Sequence, residues 1–136
     1  MDRTEALAFI GHHHRGVLAT TRADGEPQLS PVAAAVDDAG TVVVSTRETA
    51  VKTKNLRRRP RASLVVLSDA FFGAWVQVEG PVEIVSLPEA MDGLVAYYRS
   101  ISGEHPDWDD YRAAMESERR VLLRLTVTRA GPTVSG

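Results

Sequence analysis

Apolar and polar residues alternate with a period of two over most of this chain, and turn residues interrupt the alternation at short intervals. Residues 16–22 (GVLATTR) and 27–36 (PQLSPVAAAV) read as two strands joined at Asp24-Gly25, a strong hairpin signal. Pro31 lacks a backbone donor and marks the second strand as an edge or an irregularity. A third strand covers 41–46, a fourth 61–67, and a fifth 74–85, in which Trp75, Gln77 and Glu79 face opposite to Ala74, Val76 and Val78. Gly80-Pro81 predicts a bend within that fifth strand. The last strand is 119–128, and 129–136 reads as a frayed tail.

Helical spacing replaces alternation in four places. Residues 2–10 form a short helix with Asp2 at its N-cap, Glu5 three residues on and Gly11 at its end. A basic helix spans 48–59 and is stopped by Pro60. Pro88 opens a helix at its N1 position that runs to 101, and a short helix covers 107–118. Six antiparallel strands with short flanking helices define an α+β chain. Strands in this number hide their edges by closing into a barrel. With 136 residues and neither repeat nor linker, residues 1–136 are expected to form one domain.

Composition narrows the chemistry. Hydrophobic residues make up 43% and charged residues 25%, values ordinary for a globular protein outside a membrane. No apolar run approaches the roughly 20 residues of a membrane helix, and the N-terminus lacks the pattern of a secretory leader. The expectation is a cytoplasmic protein that engages no membrane. The absence of cysteine removes disulfides, thiolate metal sites and thiol nucleophiles. The net charge of −2 gives no global case for nucleic acid.

That charge is unevenly spread. Residues 47–61 hold seven basic residues and one acid, Glu48, while the remainder of the chain is acidic. On a helix Lys52, Leu56 and Arg59 share one face, and Lys54, Arg57, Arg58 and Arg61 lie toward another. A strand-to-helix junction with hydroxyls and cations is a natural phosphate seat. A solvated basic helix and a nucleic-acid surface are the alternatives. The second lacks the aromatic interleaving of a single-strand platform.

Other clusters carry less. His12, His13 and His14 are consecutive, not spaced as ligands on one helix face, so they read as a polar loop and no metal site is expected. Glu104, Asp107, Asp109 and Asp110 lack calcium-loop spacing and suit helix capping. No nucleophile elbow, Walker loop or dinucleotide fingerprint occurs. Trp75 and Gln77, on the polar-facing side of their strand, fit either an interface or a stacked planar ligand.

The order GVLAT, DGEPQLSPV, VVVST, VKTKNLRRRPRASLVV and WVQVEG resembles the split β-barrel flavin and deazaflavin oxidoreductases, the pyridoxamine-phosphate-oxidase-like superfamily. Together with YYRSISGEHPDWDDYRAAMESERRVLLRL, it is most similar to the branch that uses coenzyme F420. The resemblance implies a six-stranded split barrel that binds F420, or alternatively FMN. It implies hydride transfer to a small electron-poor acceptor, or alternatively a non-catalytic cofactor carrier. By resemblance Ser45, Thr46, Val51 and Lys52 hold the phosphate end, with Asn55, Arg57 and Arg58 in the basic stretch beyond. Gln28, Leu29, Ser30 and Pro31 line the ring. The family's homodimers place two sites at the interface, so Gly73, Ala74, Trp75 and Gln77 come from the partner subunit. No catalytic acid or base is identified, and a proton comes from solvent or from Tyr97 or Tyr98.

Overall fold

The computed structural model describes residues 1–132. Its elements in chain order are α1 (Arg3–His12), β1 (Arg15–Thr21), β2 (Pro27–Ala33), β3 (Ala35–Val36), β4 (Val42–Arg47), α2 (Val51–Arg58), β5 (Arg61–Leu67), β6 (Trp75–Val85), α3 (Met91–Ser102), α4 (Trp108–Ser117), β7 (Arg120–Leu125) and β8 (Arg129–Gly131). The strands run in the order β2-β1-β5-β6-β7-β4-β3, all pairs antiparallel, with β8 added to β6. The outer strands, β2 and β3, are not hydrogen-bonded to each other, which leaves the curled sheet split. The architecture is the expected antiparallel split barrel with short helices.

Strand β6 makes the barrel possible. It pairs with β5 through Pro81 and with β7 from Val82 onward, so one strand serves two halves of the sheet. The turn between halves is at Gly80, where a Cβ would lie 1.8 Å from the carbonyl oxygen of Thr126. No other residue fits there. Around it, Thr126 N–H donates to Pro81 O at 3.0 Å and Thr128 N–H to Glu79 O at 2.9 Å, which steers the chain from β7 into β8.

Alternation sorts the apolar residues into two cores. Val42, Val44, Val121, Leu123 and Leu125 point into the barrel with Leu18, Leu64, Val66, Val76 and Val78. Ile10 of α1 and Leu56 of α2 join that core, both at 0% exposure. The intervening Val43 and Leu122 point outward and meet Leu94 and Val95 of α3 and Tyr111 and Met115 of α4. Strands covered on both faces explain the unbroken apolar runs VVV and VLL.

Several boundaries differ from the sequence-based expectation. Among the described residues there are eight strands, not six. The second expected strand breaks at Ala34, whose N–H donates to His14 O at 2.8 Å, and yields β2 and β3. The tail contributes β8 at Arg129–Gly131 because its backbone completes the free edge of β6, and the rest of the tail lies outside the described residues. Helix α1 continues through Gly11 to His12. Helix α2 begins at Val51, since 48–50 form a turn held by Glu48 N–H to Arg119 O at 2.8 Å. Helix α3 begins at Met91: Pro88 follows a cis peptide in the preceding turn and is not at N1. No described helix is long and apolar enough to cross a membrane.

Gly80→Ala is expected to cost about 3 kcal/mol or more, because the added carbon overlaps backbone that cannot rotate away. Urea unfolding measures this, and wild-type stability in the variant would contradict the packing described.

Candidate functional site

The basic segment resolves into compensated and uncompensated charges. Arg57 donates through Nε to Glu48 Oε2 at 3.1 Å and through Nη2 to Ser86 Oγ at 3.3 Å. Arg120, on β7, donates to Glu118 Oε1 through Nε at 3.0 Å and Nη2 at 2.8 Å, and Arg47 reaches the same oxygen at 3.3 Å. The Arg120 hydrogen bond holds the Glu118 carboxyl below its ordinary range, offset in part by burial. Arg58 donates to Asn55 Oδ1 at 3.4 Å. Among the described residues, Lys52, Lys54, Arg59 and Arg61 make no side-chain ion pair.

Of these four, only Lys52 is half-buried; the others are exposed. Burial, and secondarily the charge of Arg120, pull its pKa below the ordinary 10.5. A cation held partly out of water beside another cation is stabilised by an anion. The helix start points the same way: α2 has Ala50 at its N-cap and no side-chain cap, so its first N–H groups have no capping acceptor. The position of α2 is fixed independently. Leu56 sits in the barrel core, Thr53 Oγ1 donates to Arg47 O at 2.7 Å, and Asn55 Nδ2 donates to Thr20 Oγ1 at 3.1 Å.

Asn55 thus belongs to a chain of contacts. Thr20 Oγ1 donates on to Gln28 Oε1 at 3.2 Å, so Arg58, Asn55, Thr20 and Gln28 link α2 to β1 and β2. Thr20 was not singled out from the sequence; its alternation with apolar neighbours disguised it. Arg120 and Glu118 were likewise unremarkable in sequence, and only the pairing of Arg47 with Arg120 across β4 and β7 brings them to the basic segment.

The remaining candidate residues fall in distinct places. Ser45 and Thr46 end β4 on opposite faces: Thr46 is buried on the side of Val42 and Val44, and Ser45 lies on the side of Val43. Val51 is exposed beside Lys52. Ser30 Oγ is buried with no hydrogen-bond partner among the described residues. Leu29 and Pro31 occupy the opposite, outer face of β2. The register aligns Pro31 with Val17, Val65 and Gln77 in one row across the sheet. Gly73 and Ala74 lie in the exposed β5–β6 loop, next to Phe71 and Phe72, and Trp75 opens β6. Trp75 and Gln77 share an outer sheet face with Leu29, which is 63% exposed.

Tyr97 OH donates to Ala33 O at 2.8 Å. Burial raises its pKa, offset in part by a hydrogen bond from the Ser45 backbone and by Arg120. Tyr98 packs instead among His105, Trp108 and Tyr111. Among the described residues no group of three metal-ligating side chains occurs.

An antiparallel split barrel with short helices is the fold of a family that includes flavin-type oxidoreductases. Residues 3–133 match the family model described as pyridoxamine 5'-phosphate oxidase, and the chain belongs to that family. A conserved hypothetical protein of Mycobacterium tuberculosis is 28% identical over 100% of this chain and 93% of its own, with a TM-score of 0.78. An F420 reductase is 22% identical over 91% of this chain and 94% of its own, with a TM-score of 0.70. A heme storage protein of Vibrio cholerae shares the fold at 18% identity and a TM-score of 0.72, covering 94% of this chain and 92% of its own.

Asn55→Ala is expected to destabilise the fold by about 1–3 kcal/mol, because it strips a partner from buried Thr20 and from Arg58. Chemical denaturation measures the loss; a change below about 0.5 kcal/mol would show the contact chain to be dispensable.

Proposed function

We propose that the chain is a coenzyme F420-dependent reductase that acts as a homodimer on a small electron-poor acceptor. The observation that carries this reading is Lys52: half-buried, without an ion pair among the described residues, its proton disfavoured, and set at an uncapped helix start. Those features fit a phosphate-bearing cofactor, and the buried, unpartnered Ser30 Oγ supports a polar ligand atom or partner group at β2. The fold shared with an F420 reductase favours a deazaflavin. FMN on the same seat is the alternative, and a non-catalytic carrier is a third reading.

When bound, reduced F420 supplies the hydride. The residues of this chain bind and orient. Lys52 and the α2 amides take the phosphate, Gln28, Leu29, Ser30 and Pro31 flank the ring, and Asn55 keeps Gln28 in register with α2 through Thr20. Arg57 is already occupied by Glu48, so its part is to hold the turn before α2. Arg58, with exposed Arg59 and Arg61 beyond it, suits the acidic tail that distinguishes F420 from FMN. The outer face carrying Leu29, Val17, Val65 and Trp75 is the dimer surface, and it brings Gly73, Ala74, Trp75 and Gln77 of one subunit to the site of the other. Exposed Phe72, at 97%, extends that apolar face. Tyr97, with its proton directed at Ala33 and its pKa raised, stays a neutral strut at neutral pH.

Titration with F420 and with FMN separates the two cofactors, and tighter binding of FMN would reverse their order. Lys52→Ala is expected to weaken cofactor binding by about 1–3 kcal/mol, the scale of a charge-assisted hydrogen bond. The lowered pKa adds a pH signature. The anion binds the protonated amine, so affinity falls as pH rises through the Lys52 pKa, beginning below the ordinary 10.5. Lys52→Arg, which stays charged, abolishes that fall. Oxidation of reduced F420 by a panel of quinones and enones no faster than in buffer would favour the carrier.

A further inference from the structure

The polar chain that runs from α2 to β2 has a direction, and its two ends fix it. At one end stands the guanidinium of Arg58, which can only donate; its Nη1 and Nη2 lie 3.4 Å from Asn55 Oδ1. With the Asn55 amide oxygen engaged there, its Nδ2 turns to Thr20 Oγ1 at 3.1 Å. At the other end stands the Leu29 carbonyl, which can only accept; it takes a proton from Gln28 Nε2 at 3.2 Å. The Gln28 amide oxygen is left to face Thr20, whose hydroxyl donates to it at 3.2 Å. Arg58, Asn55, Thr20, Gln28 and Leu29 thus form one head-to-tail run of hydrogen bonds.

Thr20 is the middle link. It is 3% exposed and lies directly opposite Gln28 in the sheet register. Asn55, equally buried, cannot turn its amide over without setting Nδ2 against the Arg58 guanidinium. Gln28 is half-buried on β2, an outer strand of the split sheet. Among the described residues the second proton of its Nε2 has no acceptor. Ser30, two residues along on the same face, has the hydroxyl without a partner. We propose that Thr20 is a positioning residue: by holding the Gln28 amide oxygen it presents Gln28 to the ligand as a hydrogen-bond donor, matched to a ring carbonyl and not to a ring N–H. This rests on the cofactor reading of the preceding section and assigns how β2 meets the ring. F420 and FMN both carry carbonyl oxygens on the pyrimidinedione edge of the ring, so the match holds for either. Thr20 does not touch the ligand in this scheme; it acts through Gln28.

The test uses the full chain titrated with F420 and with FMN, and the infrared carbonyl stretch of the bound ring. Thr20→Val keeps the shape of the side chain and removes its donor. It is expected to weaken binding about tenfold, the scale of one hydrogen bond. It also shifts a ring carbonyl stretch to higher wavenumber, because a carbonyl that loses a donor stiffens; general loosening of the fold gives no such shift. Thr20→Ser restores both readings. Gln28→Leu weakens binding to the same extent, and the double variant Thr20→Val/Gln28→Leu binds no worse than Gln28→Leu alone, since the two act through one contact. Gln28→Glu still accepts from Thr20 but offers the ligand no donor, and it loses affinity as well; this arm stands even if Thr20→Val fails to fold. An unmoved carbonyl stretch in Thr20→Val, additive losses in the double variant, or wild-type binding by Gln28→Glu would overturn the inference. Lys52→Ala separates the two levels. Unchanged binding there, or no binding of either cofactor by the wild type, removes the cofactor seat itself; weakened binding there with an unmoved stretch in Thr20→Val removes only the role of Thr20.

Discussion

The insertion of Leu56 into the barrel is the contact on which the rest depends. Helix α2 is short and strongly basic, and its intrinsic stability in isolation is small. It persists because one leucine is fully buried and because Thr53 and Asn55 spend their polar groups on Arg47 and Thr20. Truncating such a leucine commonly costs about 2–5 kcal/mol. With Leu56 in place, helical geometry leaves no freedom for Lys52: it stands one turn earlier, at the rim. The cationic site is thus a by-product of closing the barrel end.

A basic stretch viewed as sequence is a uniform patch, with a local excess of positive residues in an acidic chain. In three dimensions Glu48 and Glu118 divide it. Neither acid is remarkable by position: Glu48 is the lone acid within the segment, and Glu118 lies some seventy residues away, brought back by the pairing of β4 with β7. Exposed ion pairs add little to stability, so their consequence here is which cations remain available.

Much of this was legible in the chain. Period-two alternation located β1, β5 and β6 closely, because each has one face in the barrel core and the other outward. Gly80-Pro81 was readable as a bend for the same reason that it is one: the backbone of Thr126 occupies the space of a side chain. Three features were hidden. The break at Ala34 depends on His14, and β8 depends on a free edge of β6, both of them long-range events without local signature. The start of α3 was misplaced because a proline in a turn and a proline at N1 look alike in sequence. Of the residues in the proposed site, Lys52 and Ser45 were named through the family resemblance, whereas Thr20, Glu118 and Arg120 enter only through long-range contacts and cross-strand register.

The central claim is that Lys52, at the rim closed by α2, is where the cofactor phosphate rests. A crystal structure of the chain grown with F420 tests it most directly. The account predicts phosphate density within hydrogen-bonding distance of Lys52 Nζ and the first α2 amides, with Glu118 still gripping Arg120. Phosphate density centred on Arg59 and Arg61, or against the outer face of the sheet with Lys52 left unpaired, would contradict it.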